Sequence, residues 1–153
     1  MAKLSLEVLP LVTQWDVIRT HIEQLALEKK WTDKQSFDIT LICEEWFMNI
    51  VEHGKCDLST YINVEVEQLH AGDIRMYFSD AGIPFSPFEK PASTEVTANI
   101  GQRLGGLGIH FIRSKISHYH YSYVNQRNCV AMYYSTIEAG ERGESDGHAG
   151  DRP

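Results

Sequence analysis

The chain has 153 residues, with 14 basic and 21 acidic side chains and a net charge of −7. That length suits one domain whose core takes about two-thirds of the unfolded surface out of water, and the acidic balance excludes a nucleic-acid footprint. No apolar run approaches the roughly 18 residues of a membrane span, and the N-terminus alternates where an export signal would be continuous.

Leu4, Leu6 and Val8 alternate with Ser5 and Glu7 and predict a short strand closed by Pro10. Thr13-x-x-Asp16 is a capping signal ahead of Trp15, Ile18, Ile22, Leu25 and Ala26, which follow the helical period. Thr32-x-x-Gln35 is a second such signal and opens a helix over Ser36 to His53 that stops at Gly54. Tyr61 to Leu69 and Ile74 to Phe78 form a hairpin around His70-Ala-Gly-Asp73, and Asp80-Ala-Gly82 follows at the strand end. From Phe85 to Leu104 periodicity gives way to prolines and a Ser/Thr/Asn-rich run, which predicts a long loop, a mobile lid. Gly105-Gly106-Leu107-Gly108 leads into a third helix marked by Ile109, Phe111, Ile112 and Ile116. His118 to Val124 and Cys129 to Ser135 make a second hairpin around Asn125 to Asn128.

His118 and His120 beside tyrosines read as alternating exposed strand positions before they read as metal ligands. The stretch from residue 138 to 153 carries three Glu, two Asp and two Arg with many glycines and almost no large apolar residues. It is expected to be a disordered tail behind a domain at 1–137. Cys43, Cys56 and Cys129 are far apart with no C-x-x-C pair, so they read as reduced packing residues of a cytoplasmic protein. Strands with one apolar face and helices between them predict an α+β fold: a two-layer α/β sandwich, a mixed sheet of about five strands with helices on one face.

The central helix carries the first functional signal. Phe37, Ile39, Leu41, Cys43, Trp46, Phe47, Met48, Ile50 and Val51 cover most of its circumference, so burial on nearly every side is expected. The exception is a stripe, Asp38, Ile42, Glu45, Asn49, Glu52 and His53, within about a third of a turn of one another. Such a stripe either faces water or meets a polar ligand, because an unpartnered buried amide costs roughly 1–3 kcal/mol. The glycines at the mouth of the third helix supply the second signal, since backbone N–H groups and the helix dipole there suit a phosphate. A Gly-Gly-x-Gly alone is weak, and both the Walker loop and the dinucleotide fingerprint are absent.

Taken together, Glu45-x-x-x-Asn49, Asp80-x-Gly82-x-Pro84-Phe85 and Arg103-x-Gly105-Gly106-x-Gly108 resemble the N, G1 and G2 boxes of the Bergerat ATP-binding fold. The wording is most similar to the bacterial anti-sigma-factor serine/threonine kinase family. The resemblance spans about Leu4 to Ser135. It implies ATP and Mg²⁺ as cofactors, with Asn49 as the metal ligand and Asp80 as acceptor for the adenine amino group. Gly82 would let backbone approach the ring, Gly105, Gly106 and Gly108 would cradle phosphates, and Arg103 would neutralise the γ-phosphate. Glu45 is implied as the general base for a serine or threonine hydroxyl.

Implied partners are an anti-anti-sigma antagonist protein, a sigma factor or other regulatory target, and a second copy in a homodimer, with no nucleic acid and no membrane. The sequence departs from the family pattern at Ser117, at Arg127-Asn128 in the last hairpin, and at Cys129, changes that bear on partner contacts and adenine affinity. Two other functions fit the motifs less well. A module that only binds ATP has no use for Glu45, and a histidine-kinase catalytic domain would follow a dimerisation helix pair that the short N-terminal portion does not supply.

Overall fold

A computed structural model describes residues 3–86, 88 and 107–137. In chain order it contains β1 (Lys3–Val8), a 3₁₀ turn (Val12–Gln14), α1 (Trp15–Lys29), α2 (Asp33–His53), β2 (Ile62–Gln68) and β3 (Ile74–Asp80). The helix α3 (Leu107–Lys115) and the strands β4 (His118–Val124) and β5 (Arg127–Tyr134) complete it. The sheet has five strands in the order β1-β2-β3-β5-β4.

Every neighbouring pair is antiparallel, which corrects the expected mixed sheet. The reason lies in the last hairpin. β3 and β4 point the same way, as a helical crossover through α3 demands, but β5 turns back between them and no two neighbours run parallel. That hairpin is tighter than the sequence suggested. Asn125 and Gln126 both take positive φ, 53° and 62°, as a two-residue mirror-image turn requires, so Arg127 and Asn128 already belong to β5. Asn128 thereby falls opposite Asp80.

Alternation puts Leu4, Val8, Ile62, Val64, Val66, Ile74, Met76, Phe78, Val130 and Met132 on one face of the sheet, all buried. They meet Ile18, Ile22 and Leu25 of α1, Ile39, Cys43, Phe47 and Ile50 of α2, and Ile112 of α3 in a single core. The opposite face is polar. Arg75 lies 3.3 Å from Glu65 and 3.2 Å from Glu67, and His118 stacks on Tyr133 with ring centroids 4.1 Å apart. His118 and His120 are both exposed on this face.

The start of α2 forms as its sequence reads. The Thr32 hydroxyl accepts from Gln35 N–H at 3.1 Å and the Gln35 amide oxygen accepts from Thr32 N–H at 2.9 Å. Thr13 does not cap α1, because it sits inside the 3₁₀ turn and the helix begins at Trp15 with no side-chain cap. Phe37 is also not buried. At 65% exposure it marks the solvent side of a helix that the sheet and its neighbours cover only in part. Among the described residues no helix is long and apolar enough to cross a membrane. The stretch 138–153 and nearly all of the expected lid lie outside the described residues.

Candidate functional site

The polar stripe of α2 turns to water only at its C-terminal end, where Glu52 is exposed; α3 packs against α2, and Asp38, Ile42 and Asn49 are buried. At the N-terminal part Asp38 is 2% exposed. Its Oδ2 accepts from Lys34 Nζ at 2.7 Å and from the Tyr134 hydroxyl at 2.7 Å, and Lys115 Nζ of α3 stands 3.9 Å from Oδ1. Burial alone would raise this carboxyl, but the two hydrogen bonds and the lysine charges hold it below the usual range. This part of the stripe belongs to the scaffold.

One turn beyond the buried Ile42, the stripe changes character. Glu45 is half-buried, and its carboxylate lies against Gly108 in the first turn of α3, where any Cβ would collide with Oε2. A side chain at 108 would have to displace the Glu45 carboxylate, so glycine there lets the first turn of α3 come directly against Glu45. Asn49, one turn further along α2, is 7% exposed. Among the described residues no group of three or more His, Cys, Asp or Glu is gathered as a metal cluster. A cation here would lean on the Asn49 amide oxygen and on ligand and water oxygens, the donor set that a small hard ion such as Mg²⁺ takes.

Asp80 is the last residue of β3 and is 4% exposed. Its Oδ1 accepts from Gly82 N–H at 2.9 Å and from Asn128 Nδ2 at 3.1 Å, with the Cys56 thiol at 3.9 Å. Among the described residues Oδ2 accepts no hydrogen bond. Burial pushes the carboxyl above its ordinary value, and the bonds from Gly82 and Asn128 and the Arg127 charge offset this only in part. The same burial pushes the Cys56 thiol up to about 11, so it stays protonated and can donate. An acid of this kind, buried with one oxygen unused, is suited to a ligand that brings its own donor.

Gly82 has a second reason to be glycine. A Cβ there would run into the Gly54 carbonyl oxygen, which also accepts from Ile83 N–H at 2.9 Å. The end of α2 is thus fastened to the loop after β3, so Glu45, Asn49 and Asp80 sit on one rigid frame. Arg103, Gly105 and Gly106 lie outside the described residues. Of the expected lid, Phe88 is described and buried. It packs between Trp46 of α2 and Tyr119 of β4, with ring centroids 6.5 Å and 4.4 Å away, an anchor the aperiodic sequence did not announce.

Two residues of the last hairpin were noted in the sequence only as departures. Arg127 donates from Nε to Ser79 Oγ at 2.7 Å and from Nη2 to the carbonyls of Ser79 and Tyr61 at 2.9 and 2.8 Å, which ties β5 to β3 and the start of β2. Asn128 bonds to Asp80 and to the loop beyond it. Cys129, which the resemblance put near adenine, pairs instead with Ser79, and the pleat turns it to the face of the sheet opposite Asp80.

A two-layer domain with, among the described residues, three helices on one face of a five-strand sheet, a buried acid at the end of β3 and a helix whose first turn carries Gly108 against Glu45 defines a Bergerat-type ATP-binding domain. The family model for the histidine kinase-like ATPase domain matches residues 9–134, and the chain belongs to that family. No match was found among curated proteins. Among solved structures, a chain from the crystal structure of the SiaB-SiaC complex of Pseudomonas aeruginosa is similar with a TM-score of 0.61. Their sequences are 12% identical, with 85% of this chain and 88% of that one covered, so the likeness is one of fold.

Proposed function

We propose that the chain is an ATP-dependent protein serine/threonine kinase of the anti-sigma-factor type, working in a partner switch. In this reading residues 1–137 form the kinase domain, which acts in the cytoplasm as a homodimer. It holds a sigma factor or comparable target and phosphorylates an anti-anti-sigma antagonist. The observation that carries the reading is the placement of Glu45 and Asn49 one turn apart on α2, with the Glu45 carboxylate seated against Gly108 at the start of α3.

Asp80 Oδ2 would accept the adenine amino group, with Gly82 beside it. Asn49 would hold Mg²⁺, and Arg103, Gly105, Gly106 and Gly108 would bind the phosphates. Bound Mg-ATP supplies the transferable phosphoryl group and the cation that neutralises its charge. Glu45 then has one task, to accept the proton of an incoming serine or threonine hydroxyl on the carboxylate that lies beside Gly108. The likeness to a chain from a two-protein complex supports a domain that works on a protein partner.

The test is Mg²⁺-dependent ATP binding by calorimetry, followed by phosphoryl transfer to an antagonist that co-purifies from the native cell. Glu45→Gln is expected to bind Mg-ATP nearly as well as the parent and to lose about 10²–10⁴-fold in transfer. Asn49→Ala is expected to lose both. A parent that binds Mg-ATP and transfers nothing to a verified partner would overturn the kinase reading in favour of an ATP-gated binding module.

A further inference from the structure

Asn128 is 4% exposed and uses all of its hydrogen-bonding capacity on one small region. Its Nδ2 faces three acceptors: Asp80 Oδ1 at 3.1 Å, the Ile83 carbonyl at 2.8 Å and the Gly82 carbonyl at 3.3 Å. Its Oδ1 accepts from Phe85 N–H at 3.0 Å and from the Tyr121 hydroxyl at 2.6 Å. A primary amide has two N–H groups and one oxygen. Flipping it here would set the oxygen against three acceptors and the N–H groups against two donors. The orientation is therefore unique, and it is enforced from β3, from β4 and from the loop 82–85 at once.

We infer that Asn128 is a positioning residue that sets the base selectivity of the nucleotide site, by fixing Asp80 so that only Oδ2 is offered to a ligand. The inference rests on the proposed nucleotide reading and goes beyond it, because Asn128 acts through Asp80 and need not touch the base. With Oδ1 occupied by Gly82, Asn128 and Cys56, the carboxylate cannot swing to present its other oxygen without breaking these contacts. Oδ2 is then a fixed acceptor at the surface of an otherwise buried side chain. A purine with an amino group at position 6 brings it a donor, whereas one with an oxo group there brings a second acceptor and leaves both unpaired, the arrangement that gives the sharpest rejection of an analogue. Because the same amide also holds Ile83 and Phe85, the carboxylate and the loop beside it are set as one unit.

The experiment compares ADP with inosine diphosphate, which differs at position 6 of the base, by calorimetry on the full chain in Mg²⁺. The parent is expected to prefer ADP by about 10²-fold or more. In Asn128→Ala that preference should fall to about 10-fold or less, mainly through loss of ADP affinity. A residue that only supports the fold would lower the melting temperature and both affinities together and leave their ratio unchanged, which would overturn the inference.

Asn128→Asp supplies an isosteric arm. It sets a second carboxylate against Asp80, in a pocket whose other charged or titratable groups, among the described residues, are the Cys56 thiol, the Arg127 guanidinium and, beyond the new side chain, the Tyr121 hydroxyl. Two carboxyls at that distance share a proton when the pH is low enough. The shared proton restores the missing donor, so the ADP preference should be lost at alkaline pH and recover as the pH falls and the pair takes up its proton, while the parent ratio changes less. Tyr121→Phe removes a single bond to the amide and should lower the ratio less, in the same direction. A parent that binds neither nucleotide overturns the nucleotide reading and this inference together. A parent that prefers ADP, with the ratio unaltered in all three variants, overturns this inference alone.

Discussion

Asp38 and Asp80 are two carboxylates buried to nearly the same degree, at 2% and 4% exposure, towards opposite ends of β3, Asp38 bonded to the Tyr134 that pairs with Ile74 and Asp80 the strand's last residue. One is surrounded by a lysine hydrogen bond, a tyrosine hydroxyl and a second lysine; the other, among the described residues, receives neutral donors on one oxygen and nothing on its second. Their acidities accordingly move in opposite directions, Asp38 below the ordinary value and Asp80 above it. Burial by itself does not separate an acid whose oxygens are both engaged from one that keeps an acceptor in reserve. The partner inventory does, because desolvation raises both and only opposite charge and strong donors bring one back.

The largest effect that tests this contrast is Asp80→Asn. It turns the unused acceptor into an amide donor that faces the donor of the base, so adenine-nucleotide affinity should fall by about 10²-fold or more in calorimetry. The fold should be unharmed or slightly strengthened. A raised folded-state value means that ionised Asp80 costs stability: its stabilising contribution is complete below the unfolded value of about 4 and is lost as pH rises through the raised folded value. Removing the charge removes that cost. A clear drop in melting temperature with nucleotide affinity intact would make Asp80 a scaffold acid and erase the distinction.

Asp38→Ala should do the reverse. It removes the acceptor of the Tyr134 hydroxyl proton and leaves only the longer Lys34 contact across the α2–β5 junction, so unfolding should become easier by about 1–3 kcal/mol, with ADP affinity within a few-fold of the parent. Its pH signature has the opposite sign. A depressed folded-state value gives stability that is present above the unfolded value of about 4 and lost as pH falls through the folded one. Acid unfolding of the parent and of Asp38→Ala should therefore converge at low pH. Persistent divergence there would mean that the ion pair is not what the aspartate contributes.

The smallest effect is expected outside both sites. Deleting residues 138–153 removes charge and glycine and almost no apolar area, so the melting temperature should shift by no more than about 2 °C. A larger fall would show that this segment docks on the domain.

What the sequence determined by itself is what local chemistry can specify. The period-2 alternation of β1 and of the first hairpin, the Thr32–Gln35 capping box, the stop at Gly54 and the spacing of Glu45 and Asn49 are each set within a few residues. So is the position of Asp80 at a strand end. The tertiary structure decided everything that joins residues far apart in the chain. Tyr134 reaches Asp38 across 96 residues and Asn128 reaches Asp80 across 48. Both pairings depend on β5 turning back between β3 and β4, which no local pattern encodes. The stripe on α2 illustrates the limit. Its spacing put Asp38 and Asn49 on one side of a helix, but only the packing of α3 and β5 could give the first a full set of partners and bring Gly108 against Glu45. Gly82 reads in sequence as freedom for a ligand to approach, and in space it is first the room required by the carbonyl of Gly54. Periodicity places a side chain on a face; which groups arrive to meet it is fixed by the order of strands in the sheet, a global property of the fold.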